Sequence, residues 1–259
     1  MLDEAALAIR DALGSENMEA LRRMLSGDVE VLSSALTEPV GVQRLAIYPV
    51  ENFGSAMAPL YTALALFVGA LLIMVILKPQ PAEEVLAKLK NPRHFQIYLG
   101  HYAVVLVLAT AQSPIMGLGN LLFLQVQVLH PWLYLLCLWA AGVTFSLIIY
   151  TLVALFANLG KALAVILLIM QVTGCGGSYP LELLPDFVNR ISPFLPATHV
   201  VGAMRAAMMG IYGNDFWMSL ASLAVFAIPL VLAGVALSAP YSKLVAWYLR
   251  RVDASKLMN

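Results

Sequence analysis

Apolar residues are gathered into five long stretches, separated by shorter polar segments. Each stretch is close to the ~20 residues that an α-helix needs to cross a bilayer. None has the alternation of a membrane β-barrel strand, so helices are the remaining way to satisfy the backbone in lipid. The pattern predicts an all-α polytopic membrane protein with about five transmembrane helices, at residues of about 55–77, 95–123, 131–156, 160–178 and 216–239.

The segment between the fourth and fifth spans, residues 179–212, is apolar but repeatedly broken by proline. No unbroken piece is long enough to cross a bilayer, because proline ends or kinks a helix. Irregular backbone survives at membrane depth only where protein or a water-filled cavity covers it. We therefore predict a re-entrant or amphipathic hairpin at the outer face, with an ordinary amphipathic external loop as the alternative. Its candidate site residues are Gly174, Gly176, Gly177, Pro180, Pro193, Pro196 and Arg205.

Basic residues fall on one side of the five-span topology. They lie in the loop after the first span, in the loop between the third and fourth spans, and in the tail at 241–259. This bias makes that side cytoplasmic. It places the N-terminus outside, and it makes residues 241–259 a cytoplasmic basic tail suited to anionic lipid.

Residues 1–54 differ from the rest of the chain. They are acidic, and their leucines and methionines recur at helical spacing, which predicts an extracellular stub of short amphipathic helices. A preceding transmembrane helix is the simplest explanation for the export of this stub. We therefore expect the chain to be the C-terminal part of a longer protein or one partner of a split pair, with a missing N-terminal half.

Composition agrees with a membrane protein. Hydrophobic residues make up 61% of the chain and charged residues only 12%, whereas soluble domains carry roughly 25% charged residues. The formal net charge is zero, so nothing favours a nucleic-acid partner. Cys137 and Cys175 lie in apolar stretches and form no CxxC pair, so we predict no metal site.

The sequence also lacks the common catalytic motifs. It contains no GxxxxGK[ST], HExxH or GxSxG, and no Asp, Glu, Lys or Arg in the middle of a span. The absence of the three motifs predicts a protein that is not an enzyme and binds no cofactor. The absence of charged residues from the middle of the spans argues against ion-coupled secondary transport. A lipid enzyme using Glu182, Asp186, His199 and Arg205 is a further hypothesis, although interfacial hydrogen bonding explains these residues equally well. His101, Gln112 and Asn120 are candidate polar residues of a cavity.

Several short segments occur in a characteristic order: Glu38–Pro39, YPVENFGS at 48–55, MAP at 57–59, FVGA at 67–70, GGSYP at 176–180, and ISPFLPAT at 191–198 leading to Arg205. Together they resemble the YhgE/Pip family, named for phage infection protein, over most of residues 38–240. That family is similar to the permeases of type-2 ABC exporters. The resemblance implies six helices per subunit, a re-entrant hairpin before the last helix, and a separate ATPase. Relatives usually begin with one transmembrane helix and a long external domain, which here is reduced to a stub.

The loop between the first two spans is the candidate ATPase-coupling segment under this resemblance. Its members are Glu83, Glu84, Val85, Leu86 and Leu89. A plain interfacial helix is the alternative interpretation of the same residues. The leading hypothesis is a permease-like subunit, as a homodimer or heterodimer in the cell membrane, that exports an amphiphilic or lipid-linked substrate. The competing hypothesis is a membrane scaffold or phage-receptor-type surface protein without a transport cycle.

Overall fold

In the computed structural model, the structure describes residues 49–77 and 92–255. Side chains are described as far as Leu237. The predicted stub, apart from its last residues, and all five candidate coupling residues from Glu83 to Leu89 lie outside these ranges. Within them every regular element is a helix, so the predicted all-α fold is confirmed.

The first three long helices are α1 (Phe53–Ile76), α2 (His94–Leu118) and α3 (Pro131–Phe156). Helix α2 runs on as one π-helical turn, Gly119–Phe123. Asn52 caps α1 by accepting a hydrogen bond from the Ser55 N–H at 2.8 Å, and Pro131 occupies the first position of α3, where its missing N–H costs nothing. Helices α1 and α3 therefore start where the local chemistry favours a start.

Helix α4 (Asn158–Gly174) follows α3 after a single residue, Ala157. At 17 residues it is about 25 Å long, somewhat less than the ~30 Å thickness of the hydrocarbon core. It ends at Gly174, before the predicted end of the fourth span at residue 178. The backbone leaves the helix there because Gly176 has a φ of +68°.

The broken segment contains two short helices, α5 (Asp186–Ile191) and α6 (Pro196–Met209), with 3₁₀ turns at Leu181–Leu183 and Ser192–Phe194. Helix α7 (Asp215–Ser255) then runs for 41 residues. It continues past residue 239, where the fifth span was predicted to end, so the first part of the basic tail extends the same helix.

Four helices in the described ranges are long and apolar enough to cross a membrane: Phe53–Ile76, His94–Phe123, Pro131–Phe156 and Asp215–Leu237. Helix α4 is a shorter apolar helix. Helix α3 lies at the centre and packs against α1, α2, α4, α6 and α7. Its buried residues, among them Leu138, Phe145 and Ile149, form the core together with Phe67 of α1. The protein is thus a multi-pass membrane protein built around α3.

Candidate functional site

The turn that precedes α6 is built from the ISPFLPAT segment. The Leu195 N–H donates to the Ser192 carbonyl at 3.0 Å, and the Thr198 hydroxyl donates to the same carbonyl at 2.8 Å. Pro196 is the first residue of α6 and is buried. Ring nitrogen Nε2 of His199 lies 2.9 Å from the Pro193 carbonyl. These residues fix the turn between α5 and α6.

The glycines after α4 let this segment pack closely against the bundle. A Cβ on Gly177 would lie 2.8 Å from side-chain atoms of Leu60 in α1. A Cβ on Gly174 would lie 2.6 Å from Leu195 in the turn before α6. Gly176 supplies the positive φ that L-residues rarely adopt. The predicted glycines therefore form the contact between the broken segment, α1 and the end of α4.

Helix α6 lies inside the bundle and runs antiparallel to α3. Near its C-terminal end, the backbone N–H groups of Leu129 and His130 donate to the carbonyls of Met208 and Ala207 at 3.0 and 2.9 Å. Two turns earlier in α6, the Val200 carbonyl lies 3.7 Å from the Cys137 thiol of α3. The Leu129 and His130 bonds satisfy carbonyls that the end of a helix leaves unpaired. The buried side chains along α6 include Val200, Ala203, Met204 and Ala207.

A cavity of about 450 Å³ lies between α6 and the loop that follows α4. Its lining includes the polar side chains of Ser178, Glu182, Thr198 and Arg205. A second cavity of about 320 Å³ shares Gly176 and Ser178 with the first and is also lined by Tyr179. The loop at residues 176–178 is therefore bordered by a cavity on either side. We take the first cavity, defined by these four polar residues, as the candidate site and call it the α6 cavity.

Arg205 is the cationic residue of the α6 cavity. It is half-buried, and its Nη2 donates to the Gly177 carbonyl at 2.9 Å. Among the residues that the structure describes, no carboxylate forms an ion pair with it. Glu182 lines the same cavity but is exposed. A cation therefore lies half-buried beside the cavity, and the one carboxylate among its described lining residues, Glu182, is exposed.

The three predicted polar cavity residues make contacts between helices. Asn120 is buried, and its Nδ2 donates to the Thr62 hydroxyl at 2.8 Å and to the Tyr134 hydroxyl at 2.7 Å. It also borders a cavity of about 240 Å³. Nε2 of Gln112 donates to the Ala65 carbonyl of α1 at 3.4 Å. The ring of His101 lies beside that of Tyr150, with centroids 5.7 Å apart. All three residues link α2 to a neighbouring helix.

The structure brings some predicted residues together and leaves others apart. Glu182 and Arg205 line one cavity, whereas the described linings include neither Asp186 nor His199. His199 instead lies against Phe226 of α7, with ring centroids 5.6 Å apart. These linings therefore do not bring the four residues together. Within the described ranges, no group of three or more His, Cys, Asp or Glu side chains is arranged to hold a metal ion.

A cluster of tyrosines between α2 and α3 was missed by the sequence reasoning. The hydroxyls of Tyr98 and Thr151 lie 2.7 Å apart, and the Tyr150 hydroxyl donates to the Tyr98 carbonyl at 2.7 Å. Tyr102 donates to the Val143 carbonyl at 3.2 Å. Tyr98 and Tyr102 are four residues apart and so share one face of α2, which is the signal that predicts such a contact.

Comparison with known proteins gives two matches. The model of the family described as "ABC-2 family transporter protein" matches residues 5–236. The protein named "Uncharacterized protein YhgE" of Bacillus subtilis (strain 168) is 29% identical over 204 residues, which are 79% of this chain and 25% of that protein. The chain thus spans about a quarter of the length of this relative. No solved structure matches the sequence.

Proposed function

Because the chain belongs to the ABC-2 family of transporter proteins, we propose that it is the permease-like membrane subunit of an ABC-type exporter or secretion system. A separate ATPase subunit drives the cycle, since the sequence has no P-loop of its own. The cargo is an amphiphilic or lipid-linked molecule. The subunit works as a homodimer or heterodimer, with the N-terminus outside and the C-terminus in the cytoplasm.

The observation that supports this proposal is the burial of α6, part of the broken segment, inside the bundle. Helix α6 has 14 residues and is about 21 Å long, too short to cross a bilayer. It is nevertheless buried against α1, α3 and α7. The turn at Ser192–Leu195 therefore lies well below the level of His130, and we propose that the hairpin enters the outer leaflet. Such a segment can rearrange without breaking a continuous transmembrane helix.

The distribution of charge supports an amphiphilic cargo over an ion. Helices α1, α2 and α3 contain no Asp, Glu, Lys or Arg, and α4 has only Lys161, in its first turn. Ion-coupled transporters place ionisable groups within their spans. Exposed apolar side chains cover the outside of α2 and α7, including Val107, Ile115, Val225 and Leu232. These surfaces are suited to lipid or to the apolar part of a cargo.

The test is affinity purification of the tagged full chain in mild detergent, followed by quantitative mass spectrometry. We expect a P-loop ATPase at a stoichiometric level. Changing Val85, Leu86 and Leu89 together to Asp should abolish its recovery, because the predicted coupling helix presents these residues on one face. Ala87→Asp is the matched control, since it adds charge to the opposite face of the same predicted helix and should leave the recovery intact.

Two results would contradict the proposal. The first is recovery of the chain alone, or with secretion components but no ATPase, which favours a scaffold without a transport cycle. The second is unchanged export of amphiphilic compounds after deletion of the gene. An ATPase that remains bound to the triple Asp variant would exclude the loop as the contact while leaving the permease role in place.

A further inference from the structure

The α6 cavity holds a half-buried cation, and the described residues use only a small part of its hydrogen-bonding capacity. A guanidinium has five N–H donors, and Arg205 uses one of them, on the Gly177 carbonyl. The described part of the chain supplies no carboxylate to pair with it. No nitrogen of Arg205 is buried without a partner, so the remaining donors face the open cavity, where an anion that enters can accept their hydrogen bonds.

The surroundings of Arg205 favour an anion as that acceptor. The guanidinium fork matches the planar or tetrahedral oxygens of a carboxylate or phosphate. Ser178 adds a hydroxyl donor to the same cavity lining, whereas Thr198 donates its hydroxyl hydrogen to the Ser192 carbonyl. The cavity volume of about 450 Å³ is within the range of small-molecule sites, which run from roughly 300 to 1,000 Å³. The cavity is thus large enough for a polar headgroup.

The surface near the cavity is apolar and exposed. Tyr179 and Leu183 are 66% and 74% exposed, and Tyr179 borders the neighbouring cavity. Leu183 directly follows Glu182 of the α6 cavity lining. A molecule with an anionic group in the cavity can therefore lay an acyl chain along these side chains.

We propose that the α6 cavity binds the phosphate or carboxylate group of an amphiphile, with Arg205 as the residue that recognises the anion. Glu182, in the exposed part of the lining, weakens the binding by charge repulsion and so sets an upper limit on the negative charge that the site accepts. The step from binding site to cargo site rests on the proposed function. The binding itself does not.

The experiment measures thermal unfolding of the purified full chain in an uncharged maltoside detergent against increasing probe concentration. Dihexanoyl phosphatidic acid should raise the unfolding midpoint saturably, because a ligand that binds only the folded state stabilises it. Dihexanoylglycerol, which has the same acyl chains and no phosphate, should not. Inorganic phosphate distinguishes the source of the anion: an equal shift indicates a site for free phosphate, and a much weaker shift indicates a lipid headgroup.

Three variants test the role of each charge. Arg205→Gln should weaken phosphatidic acid binding about tenfold or more, the loss expected for a charge-assisted hydrogen bond. Arg205→Lys should retain part of the affinity, since it keeps the charge without the fork. Glu182→Gln should strengthen the binding, and because Glu182 is exposed, this variant should fold normally.

Unchanged affinity in Arg205→Gln, or an equal response to dihexanoylglycerol, would overturn the proposal. If Arg205→Gln does not fold, Glu182→Gln decides, because a purely structural role for Arg205 predicts no change in affinity there. The assay contains no ATPase. If phosphatidic acid binds but no ATPase co-purifies, the binding site stands and the proposed function is rejected. If an ATPase co-purifies but phosphatidic acid does not bind, the proposed function stands and the binding site is rejected.

Discussion

At the scale of single residues, Gly69 of α1 makes room for Gln112 of α2. A Cβ at position 69 would overlap the amide group of Gln112, which donates to the Ala65 carbonyl of α1. This glycine lies in the FVGA segment that the sequence reasoning used only as part of a resemblance. Its physical role is to let a polar side chain reach the backbone of the neighbouring helix.

Gly69→Ala should therefore displace Gln112 and destabilise the contact between α1 and α2. We expect a loss of about 1–2 kcal/mol, the size of one interhelical hydrogen bond in a membrane protein plus local strain. The measurement is the thermal unfolding midpoint in detergent. Gly100→Ala is the matched control, because nothing lies within 4 Å of its Cβ position. A midpoint lowered equally by both variants would contradict the explanation.

Asn120 offers a second test at the residue scale. Its amide group joins Thr62 of α1 to Tyr134 of α3 and is buried. Asn120→Ala should cost about 1–3 kcal/mol, because it removes the donor for two buried hydroxyls. Ser222→Ala is the control, since the hydroxyl of Ser222 makes a solvent-exposed hydrogen bond within its own helix, to the Met218 carbonyl. The measurement is the free energy of unfolding by heat or denaturant. An equal loss in the two variants would show that the hydrogen bonds of Asn120 contribute little to stability.

At the scale of elements, the corner between α3 and α4 is the tightest connection in the described ranges. Ala157 alone joins the two helices, with a φ of +52° and a ψ of −126°. This conformation favours glycine and strains an alanine. Gly160 follows at the point where α4 passes the backbone of α3, and a Cβ there would overlap the Leu152 carbonyl.

Opposite effects are expected from two changes at this corner. Ala157→Gly should stabilise the protein by up to about 1 kcal/mol, because it relieves the positive φ. Gly160→Ala should destabilise it, since the obstacle is backbone and cannot move aside as a side chain can. Unfolding midpoints measured side by side check both signs. A rise for Gly160→Ala or a fall for Ala157→Gly would contradict the argument from backbone geometry.

At the scale of the whole molecule, the orientation in the membrane is the prediction that most affects the function. Asn214 is exposed in the connection between α6 and α7, and His94 is exposed at the start of α2. These positions lie on opposite sides of the predicted topology. If the positive-inside argument holds, the hairpin and the α6 cavity lie toward the outer face, where an exporter releases its cargo.

Cysteine labelling in whole cells tests this orientation. The background is a variant with Cys137→Ser and Cys175→Ser, which removes two free, buried thiols. Asn214→Cys should react with a membrane-impermeant maleimide in intact cells, and His94→Cys should react only after the membrane is permeabilised. The reverse labelling pattern would place the connection between α6 and α7 in the cytoplasm. The proposed export would then have the wrong direction.

The sequence by itself determined the all-α membrane fold, the helix break in the segment after α4 and the family. Runs of about 20 apolar residues have few physical alternatives in lipid, because a helix satisfies its own backbone. Proline and glycine report local backbone geometry, so the break after Gly174 and the turn at Pro193 and Pro196 were predictable. The motifs from Glu38–Pro39 to ISPFLPAT, in order, were enough for the YhgE-type resemblance, which the matches confirm.

Only the tertiary structure decided which polar residues meet. Glu182 and Arg205 lie 23 positions apart in the sequence yet line one cavity, whereas His199, closer to Arg205 along the chain, turns toward Phe226. The helical periods of α6 and α7 and the close approach at Gly177 fix these pairings, and no local pattern encodes them. Contacts between helices depend on how two separate surfaces pack, so the chemistry of the cavity emerges only when the helices are assembled.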